Sequence, residues 1–114
     1  MKFLLQVRFN GADGVIGGLS AEEQQKVTAE FMAVLASSGV LDGNQLQAAS
    51  AATTVRLADG QTRVAEGPAV DAGAALNGYY IYDAADRDAA VAFAARIPVV
   101  RFGGTVEVRE MMER

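Results

Sequence analysis

The order in which β-prone and helical segments alternate along the 114 residues is the strongest constraint on the fold. Residues 2–9 alternate apolar and polar side chains with a period of two, which predicts a first strand. The run Ser20-Ala21-Glu22-Glu23 fits a capping box, and apolar residues at helical spacing follow it. This segment is predicted to be a helix with a left-handed stop at Gly39. A second helix is predicted from a cap at Asp86 to Pro98.

Further β-prone runs complete the pattern. Residues 53–57 and 61–65 flank Asp59-Gly60, and because glycine accepts the positive φ of a tight turn, this arrangement predicts a hairpin. Residues 79–82 are the most β-prone of the chain, and residues 105–109 alternate apolar and charged side chains. Each of these two runs predicts a strand.

Three other segments are less regular. Residues 41–52 fit either an irregular strand entry or a loop with a short strand, and residues 66–77 are predicted to be a loop with one helical turn. Residues 10–18 contain four glycines and are predicted to be a flexible loop. That loop is either a plain surface connection or a mobile lid over a cavity, and its glycine spacing does not fit a phosphate-binding motif.

The order β, α, β, β, α, β predicts one α+β domain over residues 1–114, with both helices on one face of an antiparallel sheet. Its opposite face needs a cover, because apolar side chains are predicted there. We expect sheet-to-sheet pairing of two copies in a homodimer, which would enclose a cavity. The alternative is that long loops of the same chain fold over this face. The apolar positions concerned are Leu4, Val55 or Leu57, and Tyr80 or Tyr82.

Composition excludes several classes of site. The chain has no cysteine, which excludes disulfides, thiol nucleophiles and cysteine-bound metals. It has no histidine, so the usual general base and the commonest transition-metal ligand are absent. No cofactor and no metal are therefore predicted. The net charge is −4 without a basic stripe, so no nucleic-acid partner is predicted. No signal peptide or membrane span is predicted, and a cytoplasmic protein is expected.

Several motifs, in order, resemble the YCII-related family in its DGPF-type branch. They are Glu66-Gly67-Pro68, Leu76-Asn77-Gly78-Tyr79-Tyr80-Ile81, Arg96-Ile97-Pro98 and the closing Val106-Glu107-Val108-Arg109. The resemblance implies a ferredoxin-like domain that dimerises into an α+β barrel, and it implies no particular activity. The His–Asp pair of some relatives cannot be carried over, because histidine is absent. The chain also has Glu66 where the branch has Asp, and Ala69 where it has Phe.

Two acidic residues are candidate catalytic groups. Glu66 stands at the end of a predicted strand and could act as a general base if burial raised the pKa of its carboxyl group. The alternative is a loop carboxylate that accepts backbone N–H bonds. Asp71 could share a site with Glu66 or help to hold a hard cation, and its alternative role is to cap a short helix.

Tyrosine and arginine side chains are candidate ligand-binding groups. A tyrosine hydroxyl in a barrel can orient a ligand oxygen, and an arginine facing a cavity would favour an anion. The alternatives are aromatic packing for the tyrosines and cross-strand ion pairs for the arginines. The candidates are Tyr80, Tyr82, Arg8, Arg56 and Arg109.

Two functions from different classes fit this sequence. One is a small-molecule binding or regulatory module, which the missing histidine and cysteine favour. The other is a cofactor-free enzyme, such as an isomerase, lyase or monooxygenase-like protein, with Glu66 or Asp71 as base. The enzyme hypothesis requires a buried carboxylate within hydrogen-bonding reach of an open cavity.

Overall fold

This computed structural model describes residues 1–9, 18–69 and 76–113, which form six strands, two α-helices and two short 3₁₀ helices. The helices are α1 (Ala21–Leu35) and α2 (Arg87–Ala94), and the 3₁₀ helices are Ala49–Ala51 and Pro98–Phe102. The strands are β1 (Lys2–Arg8), β2 (Val40–Gln45), β3 (Thr53–Ala58), β4 (Gln61–Glu66), β5 (Leu76–Asp83) and β6 (Thr105–Glu110).

Four of these strands form the main sheet, in the order β2-β5-β1-β6, and every neighbouring pair is antiparallel. The α+β prediction is confirmed, and this strand order is compatible with a ferredoxin-like fold. The remaining strands, β3 and β4, pair only with each other and form a separate two-stranded sheet.

Both helices begin where the sequence predicts. The Ser20 hydroxyl accepts a hydrogen bond from the Glu23 backbone N–H at 3.1 Å and donates one to the Glu23 carboxylate at 3.0 Å. Asp86 caps α2 by accepting from the Ala89 N–H at 2.8 Å. Both helices end earlier than predicted. Helix α1 stops at Leu35, and Gly39 instead adopts a positive φ at the turn into β2. Helix α2 stops at Ala94, before Pro98.

The ambiguous segment 41–52 contains the edge strand β2, followed by a 3₁₀ turn. An irregularity between Val40 and Asp42 interrupts its register with β5, which explains why the sequence shows no clean alternation there. The strand that follows α1 in the main sheet is therefore β2, and the predicted hairpin at Asp59-Gly60 is an additional element.

The core lies between the helices and one face of the sheet. Phe93 of α2 is at its centre, with its ring stacked on Tyr82 at 3.9 Å between centroids and edge-on to Tyr80 at 6.4 Å. The buried apolar residues that join it include Phe3, Leu5, Val7, Phe9, Val34, Ala90, Ala94, Ile97 and Val99.

The prediction about the opposite face of the sheet is partly wrong. Tyr80 pairs with Leu5 and Tyr82 with Phe3, so both tyrosines point to the helix side, because residues directly opposite each other share a face. Val55 and Leu57 belong to the separate hairpin. Of the apolar residues predicted for the open face, Leu4 alone lies on it.

The open face is apolar only in the middle. Leu4 and Ile81 are paired at its centre, and Tyr79 lies on the same face two residues before Ile81. Charged and amide side chains surround them on the neighbouring positions. These are Lys2, Gln6, Arg8, Asp42, Asn44, Asp83, Glu107 and Arg109.

An ion pair joins α1 to the segment before β6. Arg101 donates to both carboxylate oxygens of Glu30, with one of these hydrogen bonds at 2.8 Å. The hydrogen bond from the Arg101 guanidinium lowers the pKa of Glu30 below its ordinary value of 4.5. Because the pair is exposed, we expect it to contribute only weakly to stability.

We therefore predict a pH-dependent effect for Arg101→Gln. A carboxyl group with a lowered folded-state pKa stabilises the fold above its unfolded pKa and loses this effect as pH falls through the folded pKa. Urea unfolding should show a small loss of stability in Arg101→Gln at neutral pH, which disappears in acid once Glu30 is protonated. Lys26→Gln is the control, since it removes a nearby positive charge outside the pair. A loss that persists unchanged in acid would contradict the prediction.

Candidate functional site

A groove of about 510 Å³ separates α1 from the β2 and β5 side of the sheet. Its volume lies within the range of about 300–1,000 Å³ that is typical of small-molecule sites. Half of its lining residues are apolar or glycine, and the other half carry amide or hydroxyl groups. The lining residues used below are Val27, Phe31, Met32 and Leu35 of α1, and Gly43, Asn77, Gly78 and Tyr80 of the sheet.

Helix α1 supplies one wall of the groove. It buries Val27 and Val34 fully, but Phe31 is only half-buried and Met32 and Leu35 are exposed. An amphipathic helix normally packs its whole apolar stripe against the sheet. Here part of that stripe borders open space, so α1 presents apolar side chains to whatever enters the groove.

Two glycines that line the groove lie so close to neighbouring residues that a side chain would not fit. A Cβ atom on Gly43 would lie 2.9 Å from Leu35 Cδ1 and 2.9 Å from Tyr80 Cδ1. One on Gly78 would lie 2.8 Å from the backbone oxygen of Asn44. Larger residues at either position would push these neighbours aside, so the close packing around the groove depends on both glycines.

Tyr80 is a titratable residue of the groove wall whose side chain lies on the helix side of the sheet. Burial raises the pKa of its hydroxyl above the ordinary value. The structure shows no hydrogen-bond partner for this hydroxyl among the described residues. Since every fully buried side-chain nitrogen or oxygen in the described ranges has a partner, this hydroxyl is not fully buried. The hydroxyl therefore remains accessible, and it stays protonated at neutral pH, so it can donate to an acceptor oxygen or nitrogen of a ligand.

Two amide side chains that line the groove donate hydrogen bonds to backbone oxygens near the ends of β1 and α1. Asn77 Nδ2 donates to the Phe9 backbone oxygen at 2.7 Å, which ties the start of β5 to the end of β1. Gln24 Nε2 donates to the Leu19 backbone oxygen at 3.0 Å near the start of α1. Both residues line the groove, so their polar groups could also contact a bound molecule.

A second polar cluster lies on the open face of the sheet and was missed by sequence reasoning. The Tyr79 hydroxyl accepts from Asn44 Nδ2 at 2.8 Å and donates to Asp42 Oδ2 at 3.1 Å. Asp42 and Asn44 lie in the segment whose structure the sequence left ambiguous, so no pattern placed them beside Tyr79. The cluster satisfies its own hydrogen bonds, and we assign it a structural role at the sheet edge.

The predicted arginines are not brought together. Arg8 and Arg109 lie on the open face, where Arg8 donates to Gln6 Oε1 at 2.9 Å. Arg56 lies on the separate hairpin, directly opposite Arg63. Of the predicted ligand-binding residues, Tyr80 alone lines the groove, and Tyr82 is packed against Phe93.

Whether the two predicted acids share a site stays a prediction, because the structure describes only Glu66 of the pair. Glu66 is exposed at the end of β4, opposite Thr53, and does not line the groove. Asp71 lies outside the described residues, as does most of the glycine-rich segment 10–18. Within residues 1–9, 18–69 and 76–113, no group of three or more acidic side chains could hold a metal ion.

The antiparallel α+β architecture carries the motifs of residues 66–68, 76–81, 96–98 and 106–109. A family model described as the YCII-related domain matches residues 1–114. The chain belongs to the YCII-related family. No curated protein matches this YCII-related chain. None of its described helices is long and apolar enough to cross a membrane.

Proposed function

We propose that this YCII-related protein is a small-molecule binding module, and that its ligand occupies the groove between α1 and the sheet. The observation that carries this proposal is the groove itself, which has about 510 Å³ of space beside exposed apolar side chains of a folded helix. The lining favours a small, mainly apolar ligand with one hydrogen-bond acceptor that the Tyr80 hydroxyl can meet.

Binding is favoured over turnover by the placement of the acids. The enzyme alternative needs a carboxylate at the cavity, and no described carboxylate, Glu66 included, lines the groove. No charged side chain is buried in the described ranges. A regulatory binding protein therefore fits the groove better than a cofactor-free isomerase, lyase or monooxygenase-like enzyme.

We further propose that the protein acts as a homodimer in which a second copy covers the open face of the sheet. This is supported by Leu4 and Ile81, two half-buried apolar side chains that are paired at the centre of the sheet face turned away from the core. The dimeric α+β barrel implied by the resemblance is one assembly of this kind. We also propose that the chain belongs to the DGPF-type branch of the family. A cytoplasmic location is proposed as well, because a chain without cysteine suits a reducing compartment.

The groove can be tested with aromatic alcohols and ketones, for example 2-naphthol, screened by thermal shift and then titrated by calorimetry. We expect Met32→Glu to weaken binding by about tenfold or more, because a charge in an apolar site must be desolvated when the ligand binds. Ala33→Glu is the matched control, since it adds the same charge at the next, exposed position of α1, which does not line the groove.

The role of Tyr80 is tested by Tyr80→Phe. Losing one neutral hydrogen bond should weaken the binding of ligands with an acceptor by about 2–10-fold, and should leave purely apolar probes unaffected. If no probe binds the wild-type protein, or if Met32→Glu and Ala33→Glu bind equally well, the groove is not the ligand site.

A further inference from the structure

Helix α1, which lies wholly within the described residues, presents no charged side chain to the groove. Its groove-lining residues are Gln24, Val27, Thr28, Phe31, Met32 and Leu35. Because successive residues of a helix are about 100° apart, these positions fall on one side of α1. The charged positions fall on the other side, and they are Glu22, Glu23, Lys26 and Glu30. A ligand in the groove therefore meets only uncharged side chains along this wall.

The sheet wall of the groove is uncharged as well. On β5, Gly78 pairs with Val7 on one side and with Gln45 on the other, and paired residues share a face. Tyr80 lies on the same face, two residues further along β5. Because Gly78 has no side chain, the space between these three neighbours stays open. Charged residues make up 21% of the chain, yet none of the described residues that line the groove is charged.

Uncharged polar groups in the groove are open to a ligand. The side chains of Thr28, Gln45 and Tyr80 have no hydrogen-bond partner among the described residues. The Gln45 amide combines a donor NH₂ group with an acceptor oxygen, so it can meet either kind of polar group on a ligand. Gln45 is also exposed at the end of β2, so it borders both the groove and solvent. It is therefore well placed to contact the polar end of a ligand.

The lack of charge in the described lining decides which ligands the groove can hold. A carboxylate or ammonium group that leaves water loses much more solvation free energy than an amide or hydroxyl group does. An opposite charge held in good geometry can offset that loss. The described lining offers only neutral hydrogen-bonding groups, which match the smaller loss of a neutral ligand.

We propose that the groove selects uncharged ligands and that Gln45 contacts their polar end. This inference rests on the small-molecule binding proposed above and adds the charge class of the ligand. The class consists of small aromatic or alicyclic amides, alcohols and ketones. The corresponding carboxylic acids and alkylamines are excluded, because they are ionised at neutral pH.

The first test compares ligands that share a ring and differ in charge. We titrate 2-naphthamide, 2-naphthoate and 2-naphthylmethylammonium into the wild-type protein by calorimetry at neutral pH and physiological salt. Each ion is expected to bind at least about tenfold more weakly than the amide. The ammonium ion is the stricter comparison, because the net charge of −4 favours cations near the surface. Weaker naphthamide binding in Met32→Glu shows that this probe occupies the groove.

The second test changes the charge at the proposed contact. Gln45→Lys places a positive charge at the groove, and it should raise the ratio of naphthoate to naphthamide affinity about tenfold. Gln47→Lys is the matched control, since it adds the same charge at a nearby exposed position that does not line the groove. In the control the ratio should change by less than about threefold, because solvent screens the added charge. Both substituted residues are exposed, so both variants should fold.

The contrary outcomes separate this inference from the function on which it rests. If the wild type binds none of the probes, 2-naphthol included, the groove is not a ligand site and both are wrong. If the amide binds and either ion binds less than about tenfold more weakly, ligand binding stands and charge selection is overturned. If Gln45→Lys and Gln47→Lys shift the affinity ratio equally, the assignment of Gln45 as the polar contact is overturned.

Discussion

Replacing Phe93 with alanine is expected to lower the free energy of unfolding by about 3–5 kcal/mol. The Phe93 side chain is only 3% exposed, is stacked on Tyr82 at 3.9 Å and meets Tyr80 edge-on at 6.4 Å. Alanine would remove both ring contacts and leave a cavity in the centre of a small core. Domains of this kind are stable by about 5–15 kcal/mol, so this substitution removes a large share. Urea unfolding followed by circular dichroism measures it.

Val91→Ala is the matched control for Phe93→Ala. Val91 lies on the same helix and is 48% exposed. Its truncation also places alanine in α2, so effects of helix propensity are at least as large in the control. We expect a loss below about 1 kcal/mol. Similar losses for the two variants would show that Phe93 does not hold the core together as its packing indicates.

Replacing Gly78 with alanine is expected to cost about 1–3 kcal/mol through overpacking. The added Cβ would lie 2.8 Å from the backbone oxygen of Asn44 on the adjacent strand. A backbone atom cannot move aside as the end of a side chain can, so β2 and β5 must separate locally. Gly78 pairs with Val7 on one side and Gln45 on the other, so the strain falls between strands of the main sheet.

Thermal unfolding compares Gly78→Ala with Ala65→Val, which adds methyl groups at an exposed strand position of the β3–β4 hairpin. The second substitution should be nearly neutral, since nothing is displaced and valine favours strands. Because Gly78 also lines the groove, 2-naphthol binding should weaken in Gly78→Ala if that probe binds the wild type. Equal stability of Gly78→Ala and the wild type would mean that the close approach of β2 and β5 is easily relieved.

Local features of the fold were predictable because their causes are local. The caps at Ser20 and Asp86 need only a side-chain oxygen within reach of a backbone N–H three residues later. The hairpin at Asp59-Gly60 needs only residues that accept positive φ, and both do so here. The helix ends were harder to place, since Gly39 serves the turn into β2 and not the end of α1.

The groove was not predicted, although the sequence contained partial signals of it. Phe31, Met32 and Leu35 give α1 more apolar surface than the sheet covers, and Gly43 and Gly78 interrupt two strands. Each signal has an ordinary explanation when taken alone. Their meaning depends on the distance between α1 and the sheet, which no sequence pattern specifies.

The amino-acid sequence by itself determined the type of both α-helices and of five of the six strands, and the absence of thiol and imidazole chemistry, because these follow from residue identity and short-range periodicity. Only the tertiary structure decided which side of the sheet each tyrosine faces and that β3 and β4 stand apart from it. The physical reason is register: side chains alternate with a period of two, so the pairing of Tyr80 with Leu5 fixes the face on which each side chain of β5 lies. That pairing is made between residues distant in the chain, through contacts that form only when the sheet assembles.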